Sequence, residues 1–201
     1  MDMLHPMAAR RAPTPKPTAA SRESWVEAAL EALADVGVSA VAVEPLAKRL
    51  GVTKGSFYWH FETREALLRA TLAAWEASST EDVIARLETF ATPAERLQHL
   101  LDIAHGSTRS GRVELALLSA WDDPVVKPVL RRVTERRLAY LTECYASLGP
   151  KEARRAAMLA LSSYLGLAQL ARIGVMAASE RGAHAAYVSK ALASPGGRVR
   201  R

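Results

Sequence analysis

Pro45 and Gly51 bracket the run Leu46-Ala47-Lys48-Arg49-Leu50. A proline has a locked φ and no N–H, so it fits only the first turn of a helix. A glycine just past a helix can take the left-handed conformation that stops it. The bracket therefore predicts a very short helix ending in a sharp reversal, with Thr53 placed to cap a second one. That second segment, "GVTKGSFYWHF" from Gly51 to Phe61, crowds rings at Phe57, Tyr58, Trp59, His60 and Phe61 into a chain that is only 6% aromatic. A core needs apolar bulk but not Thr-Lys-Gly-Ser, and a solvated loop needs those polar groups but not the rings. The segment must be both buried and touched.

The same punctuation runs through the rest of the chain. Ser21 is placed as an N-cap, with Trp25, Ala28, Ala29, Leu33 and Val36 following at helical spacing and Gly37 ending the run. Ala42, before the Pro45 helix, cannot cap it. Thr63 can cap a longer helix carrying Leu67, Leu68, Thr71, Leu72 and Trp75. Thr92-Pro93-Ala94-Glu95 combines a cap, an N1 proline and an N3 glutamate. Asp122-Asp123-Pro124 opens a helix running to Leu148-Gly149, Pro150 opens the next, and a last short one covers about Gly182–Ala193. No segment alternates like a strand, and the expected fold class is all-α. The expected division is an arm over 1–20, a helix-turn-helix domain over 21–75, a helical domain over 76–195 and a basic tail over 196–201.

Composition narrows the function classes. One cysteine, Cys144, excludes an internal disulfide and suits a reducing cytoplasm. There is no run of about 18 uncharged apolar residues for a membrane span, and the first residues have no apolar core of a secretory signal. The net charge of +6 favours an anionic partner. Its local excess is modest: Lys48, Arg49, Lys54 and Arg64 stand against Glu44 and Glu62 over residues 44–64. Arg10, Arg11 and Lys16 add to it in the proline-rich arm, which reads as a solvated leader or a minor-groove contact.

If Leu46, Leu50, Val52 and Phe57 face inward and Ala47 sits where two helices cross, the second helix turns Thr53, Lys54, Ser56 and Tyr58 outward. Short hydrogen-bonding groups and a cation suit base edges and phosphates. The stretch "PLAKRLGVTKGSFYWHFETREALLRA", with its Leu46-Ala47, Gly51-Val52 and Lys54–Phe61 segments, resembles the DNA-binding domain of the TetR family of bacterial transcriptional repressors. The resemblance covers roughly residues 22–75. It implies that the helix from Thr53 to Trp59 enters the major groove. Phe57 and Phe61 would then be core, and Tyr58, His60 and Arg64 would reach phosphates. Lys54 would touch a phosphate or base, and Thr53, Gly55 and Ser56 would lie close to the DNA. Trp59 could face DNA or cover the core.

No phosphate loop, nucleophile motif, catalytic carboxylate pair or cofactor loop is present, so an enzyme is not expected. Glu95, His99 and Asp102 share one helix face, but Leu97, Leu100, Leu101 and Ala104 occupy the other, so the stripe reads as solvated and no metal is expected. The helix over 151–173 is apolar nearly all round: Met158, Leu161, Leu165 and Ala168 lie on one side, and Ala156, Ala160, Ser163, Leu167 and Leu170 on another. Both sides must be covered, and the second set is the expected dimer interface. The family resemblance implies a homodimer through the last two long helices, presenting two recognition helices to double-stranded operator DNA. It also implies a small-molecule effector in the C-terminal domain, here of apolar or aromatic character. Candidate lining residues are Trp75, His105, Trp121, Tyr140, Tyr164 and Gln169. The rival reading keeps this fold as a helical interaction protein or enzyme that does not bind DNA.

Overall fold

The computed structural model describes residues 20–106, 108–149, 151–177 and 179–193. The arm up to residue 19, Pro150 and the basic tail lie outside them. Every regular element among the described residues is helical. The head comprises α1 (Arg22–Asp35), a 3-10 turn (Val38–Ala40), α2 (Val43–Leu50), α3 (Lys54–Tyr58) and α4 (Arg64–Glu76). The body follows with α5 (Asp82–Leu87), α6 (Pro93–Gly106), α7 (Thr108–Leu118), α8 (Val126–Ser147), α9 (Ala153–Arg172) and α10 (Arg181–Ala193).

Local chemistry sets most of the boundaries. The Ser21 side chain accepts from Ser24 N–H and the Thr63 side chain from Ala66 N–H, each satisfying a donor that has no intrahelical partner. Thr92 and Glu95 form a reciprocal capping box: Glu95 N–H donates to Thr92 Oγ1 at 3.2 Å, and Thr92 N–H to Glu95 Oε2 at 3.0 Å. Asp123 Oδ1 accepts from the N–H groups of Val125 and Val126 at the start of α8. Val36 departs from its expected place: it is exposed, because α1 has already ended at Asp35.

The core is in two parts. The first gathers Trp25, Leu33, Leu46, Phe57, Leu68 and Leu72 from the head, and it also takes in Val113 and Leu117 of α7 and Val126, Leu130 and Val133 of α8. Head and body therefore share buried surface, with α1 packed between α4 and α7. The second part joins Leu87, Leu97, Leu101, Leu141, Tyr145 and Ala157 inside the body. Tyr145 also donates its hydroxyl to Leu192 O at 2.9 Å, tying α8 to α10.

Between α4 and α5 the helix does not stop. Residues Ala77–Glu81 form a π-helical turn, so the path from Arg64 to Leu87 is continuous. A π turn inserts a residue and loosens the carbonyl ladder. Here the Ser78 hydroxyl donates to Ala74 O at 2.8 Å and the Ser79 hydroxyl to Trp75 O at 2.5 Å.

Candidate functional site

The turn between α2 and α3 is built by backbone geometry. Gly51 has φ +67°, in the left-handed region. Val52 N–H donates to Ala47 O at 3.0 Å and Gly51 N–H to Lys48 O at 3.2 Å, closing α2. A Cβ at Gly51 would meet nothing within 4 Å, so glycine is needed for its conformation and not for space. Ala42 offers no side-chain cap to α2. Thr53 stands at the N-cap of α3 but makes no side-chain capping bond, contrary to the expectation from sequence. In this five-residue helix its hydroxyl is left for other partners.

Inside the head, Phe57 packs edge-on to Trp25 with centroids 5.3 Å apart and stacks on Phe61 at 5.7 Å. Leu46 and Ala47 are buried beside them. With Phe57 fixed inward, Thr53, Lys54 and Gly55 are exposed, and Ser56 and His60 are half-buried. Tyr58 is 64% exposed, edge-on to Phe57. Trp59 is 87% exposed, on the solvent side of the alternative that the sequence left open. An indole held in water at the end of a helix is poorly placed for a core and well placed for a partner.

The cations of the head are less free than their sequence positions suggest. Lys54 Nζ is paired with Glu44, in the first turn of α2. Arg49 is paired with Glu31. Arg64 donates from Nε to Val41 O at 2.6 Å and from Nη2 to Val38 O at 2.7 Å. Two of its five N–H groups thus tie the N-terminus of α4 to the link before α2, so this arginine, expected as a phosphate contact, also has a structural part. Lys48, which sequence reasoning did not single out, is exposed and makes no ion pair among the described residues. Arg22, also overlooked, lies over the Phe61 ring at 4.9 Å.

A cavity of about 430 Å³ lies in the body, bounded by α1, α4, the π turn and α5 through α9. Three of the expected lining residues, Trp75, Tyr140 and Tyr164, do line it. Two do not. Trp121 is 59% exposed beyond α7, with Lys127 Nζ 5.5 Å from its ring centre, and Gln169 is exposed on α9. Both lie where helical periodicity cannot tell a loop or outer face from an inner one. The His105 side chain falls outside the described residues. One wall of the cavity is a polar network that the sequence did not reveal. Arg137 donates to Glu114 Oε2 at 2.5 Å, to Thr80 Oγ1 at 2.9 Å, and to the Ser79 carbonyl and hydroxyl at 3.2 and 3.1 Å. Tyr164 donates to the same Glu114 oxygen at 3.0 Å. Burial, reinforced by the Glu114 carboxylate, pushes the Tyr164 phenol well above its usual range, so it stays a donor.

The residues expected at a dimer interface on α9 differ in exposure. Ala160 is buried against α8, and Ala156, Ser163 and Leu167 are half-buried, so of the residues expected at a dimer interface only Leu170 is exposed. The apolar side chains left to solvent are Met158, Leu159, Leu170 and Ile173, with Tyr187 on α10. A helix apolar all round carries no periodic signal to say which stripe its own chain covers. Glu95 and His99 are exposed, and the imidazole stacks on Phe90 at 4.0 Å.

A left-handed glycine turn with a short outward-facing helix on a three-helix core defines a helix-turn-helix DNA-binding protein. Residues 26–71 match the sequence profile described as bacterial regulatory proteins, tetR family, so the head carries the DNA-binding domain of that family. It is 28% identical over 150 residues to the HTH-type transcriptional regulator SrpR of Pseudomonas putida, covering 64% of this chain and 68% of the relative. A transcriptional regulator from Rhodococcus sp. Rha1 shares the fold with a TM-score of 0.71 at 22% identity, over 87% of this chain and 95% of the other. AibR, solved in complex with isovaleryl coenzyme A and operator DNA, matches with a TM-score of 0.66 at 17% identity, over 87% and 96%.

Proposed function

We propose that the chain is a homodimeric transcriptional repressor that leaves its operator when a small molecule enters the body. The row Thr53, Lys54, Tyr58 and Trp59, held outward by a buried Phe57, carries this reading. Thr53 and Lys54 offer a free hydroxyl and a cation to base edges and phosphates, while Gly55 lets the backbone come close. Tyr58 and His60 flank them as phosphate contacts, and Ser56 stands half-buried behind.

The apolar stripe of Met158, Leu159, Leu170 and Ile173 supports pairing of two copies through α9 and α10. A two-fold pair would set two α3 helices against two half-sites about one helical turn apart. The cavity supports an effector site, and the relative AibR, bound to both an acyl coenzyme A and operator DNA, shares that arrangement of head and body.

The test is a gel-shift titration of the purified chain against the intergenic DNA beside its own gene, at two salt concentrations. Specific binding whose affinity falls steeply with salt is expected. No binding at low salt by ligand-free protein would overturn the proposal.

A further inference from the structure

Two hydrogen-bond donors in the cavity wall have no oxygen or nitrogen partner. They are the indole Nε1 of Trp75 and the hydroxyl of Tyr140, on side chains only 2% and 4% exposed. The Tyr140 hydroxyl adjoins the Cys144 thiol, a weak acceptor. Burial pushes that phenol up to about 12, so at neutral pH it is a donor. Trp25 also has an unpartnered indole N–H, but it is sealed in the head against Phe57, where no solute can reach it. The Trp75 and Tyr140 side chains instead line the cavity, so a small shift of either ring would bring its covered donor to a ligand there. Buried donors are normally satisfied, and those that are not call for an explanation.

The enclosed charge beside the same volume is already matched. Arg137, the most enclosed cation there, has every nitrogen engaged by Glu114, Thr80 and Ser79. Arg109 pairs with Glu27 at 2.6 Å. Arg86 is exposed. The remaining wall is aliphatic, with Leu30, Val83, Leu100, Ile103 and Leu161 among its residues. A carboxylate carried into the enclosed part of the cavity would have to shed its water without gaining an unpaired buried cation, which is strongly unfavourable.

We propose that the cavity takes an uncharged, mainly apolar ligand bearing a hydrogen-bond acceptor, such as a ketone, ester or lactone carbonyl, held by Trp75 Nε1–H and Tyr140 O–H. This rests on the effector-cavity reading above and names its ligand class. The contact also has a route to the head. Trp75 lies in the last turn of α4, next to the π turn, its carbonyl receives the Ser79 hydroxyl, and Arg137 lies 5.5 Å from its ring centre. A ligand seated on the indole therefore acts on the helix whose other end holds Val38 and Val41 through Arg64.

The experiment is calorimetric titration of the DNA-free full chain with matched probes. Acetylnaphthalene, ethylnaphthalene and naphthoate form one set. A medium-chain methyl ketone, its parent alkane and the carboxylate of the same length form the other. In at least one set, the ketone should bind about fivefold or more tightly than the hydrocarbon and about tenfold or more tightly than the carboxylate. Tyr140→Phe keeps the ring and loses the donor; Trp75→Phe keeps an aromatic ring, loses the donor and also removes buried volume, so its Tm should fall. Each should shrink the ketone-over-hydrocarbon preference severalfold, and the ratio of the two affinities within each variant is the readout. Should one variant fail to fold, the other carries the test. Equal binding of ketone and hydrocarbon overturns the proposal, as does preference for the carboxylate or no binding of any probe. Each of those leaves operator binding by the ligand-free protein intact. A chain that selects ketones but ignores its operator sinks only the regulator reading.

Discussion

Arg64 reaches from the first turn of α4 to the carbonyl oxygen of Val41, with Nε 2.6 Å away, and its Nη2 takes Val38 O as well. An arginine at this place in the motif suggests a phosphate contact by charge alone. The geometry also makes it a strap across the head. Arg64→Ala should lower stability by about 1–3 kcal/mol, the scale of hydrogen bonds from a charged donor. It should weaken operator binding with no change in salt dependence. Urea unfolding and a salt titration measure both. A salt slope falling by about one would restore the phosphate role.

Lys54 behaves oppositely. Its ion pair with Glu44 is exposed, so it is weak and exchanges readily for a phosphate. Lys54→Ala should lower affinity and reduce the salt slope by about one. Glu44→Gln, which frees the ammonium, should tighten binding about twofold at low salt. An unchanged slope in the first variant would remove Lys54 from the DNA surface.

Glu114 and Arg137 form the most buried ion pair among those described, with side chains 3% and 14% exposed. Removing one partner leaves the other charge buried. Glu114→Ala should cost about 3–5 kcal/mol, read as a loss of denaturation midpoint. The double variant Glu114→Leu with Arg137→Met should recover much of that loss. Failure to recover would show that Arg137 matters chiefly as the prop of the π turn.

The proposed dimer face is tested without touching the fold. Leu159 is 61% exposed, so Leu159→Glu should leave monomer packing unchanged and shift sedimentation from dimer to monomer. Operator affinity should fall with it, since two half-sites need two linked heads. A persistent dimer would place the contact elsewhere.

Gly51→Ala forces a side chain into φ +67° and should destabilise the head by about 1–2 kcal/mol. Restored stability in Gly51→Asn, which tolerates the left-handed region, would separate backbone strain from packing.

What could be read from the sequence was local. Ser21, Thr63, the Thr92–Glu95 box and Gly51 act within four residues of themselves, so spacing alone located the helices. Phe57 could be assigned inward from its spacing after the turn, and Phe61 from the resemblance of the whole motif. The misjudged features depend on distant partners. Ser79 and Thr80 sit in a π turn propped by Arg137, 58 and 57 residues away, and no local pattern announces it. Arg64 looked free because its acceptors are backbone carbonyls, which a sequence does not display. On α9, Ala160 and Leu159 are both apolar, and only the position of α8 decides which is covered.

The unbroken path from Arg64 through Trp75 into the π turn has a geometric consequence. At 1.5 Å per residue, the 13 residues of α4 form a rod of about 20 Å. A tilt of about 6° at its Trp75 end sweeps the Arg64 end through about 2 Å by simple trigonometry on that length. The swing approaches the full length of the bonds from Arg64 to Val38 and Val41, 2.7 and 2.6 Å. Small angular play around one indole is thus amplified, by lever arm alone, into a displacement large enough to unlatch the segment that carries α2.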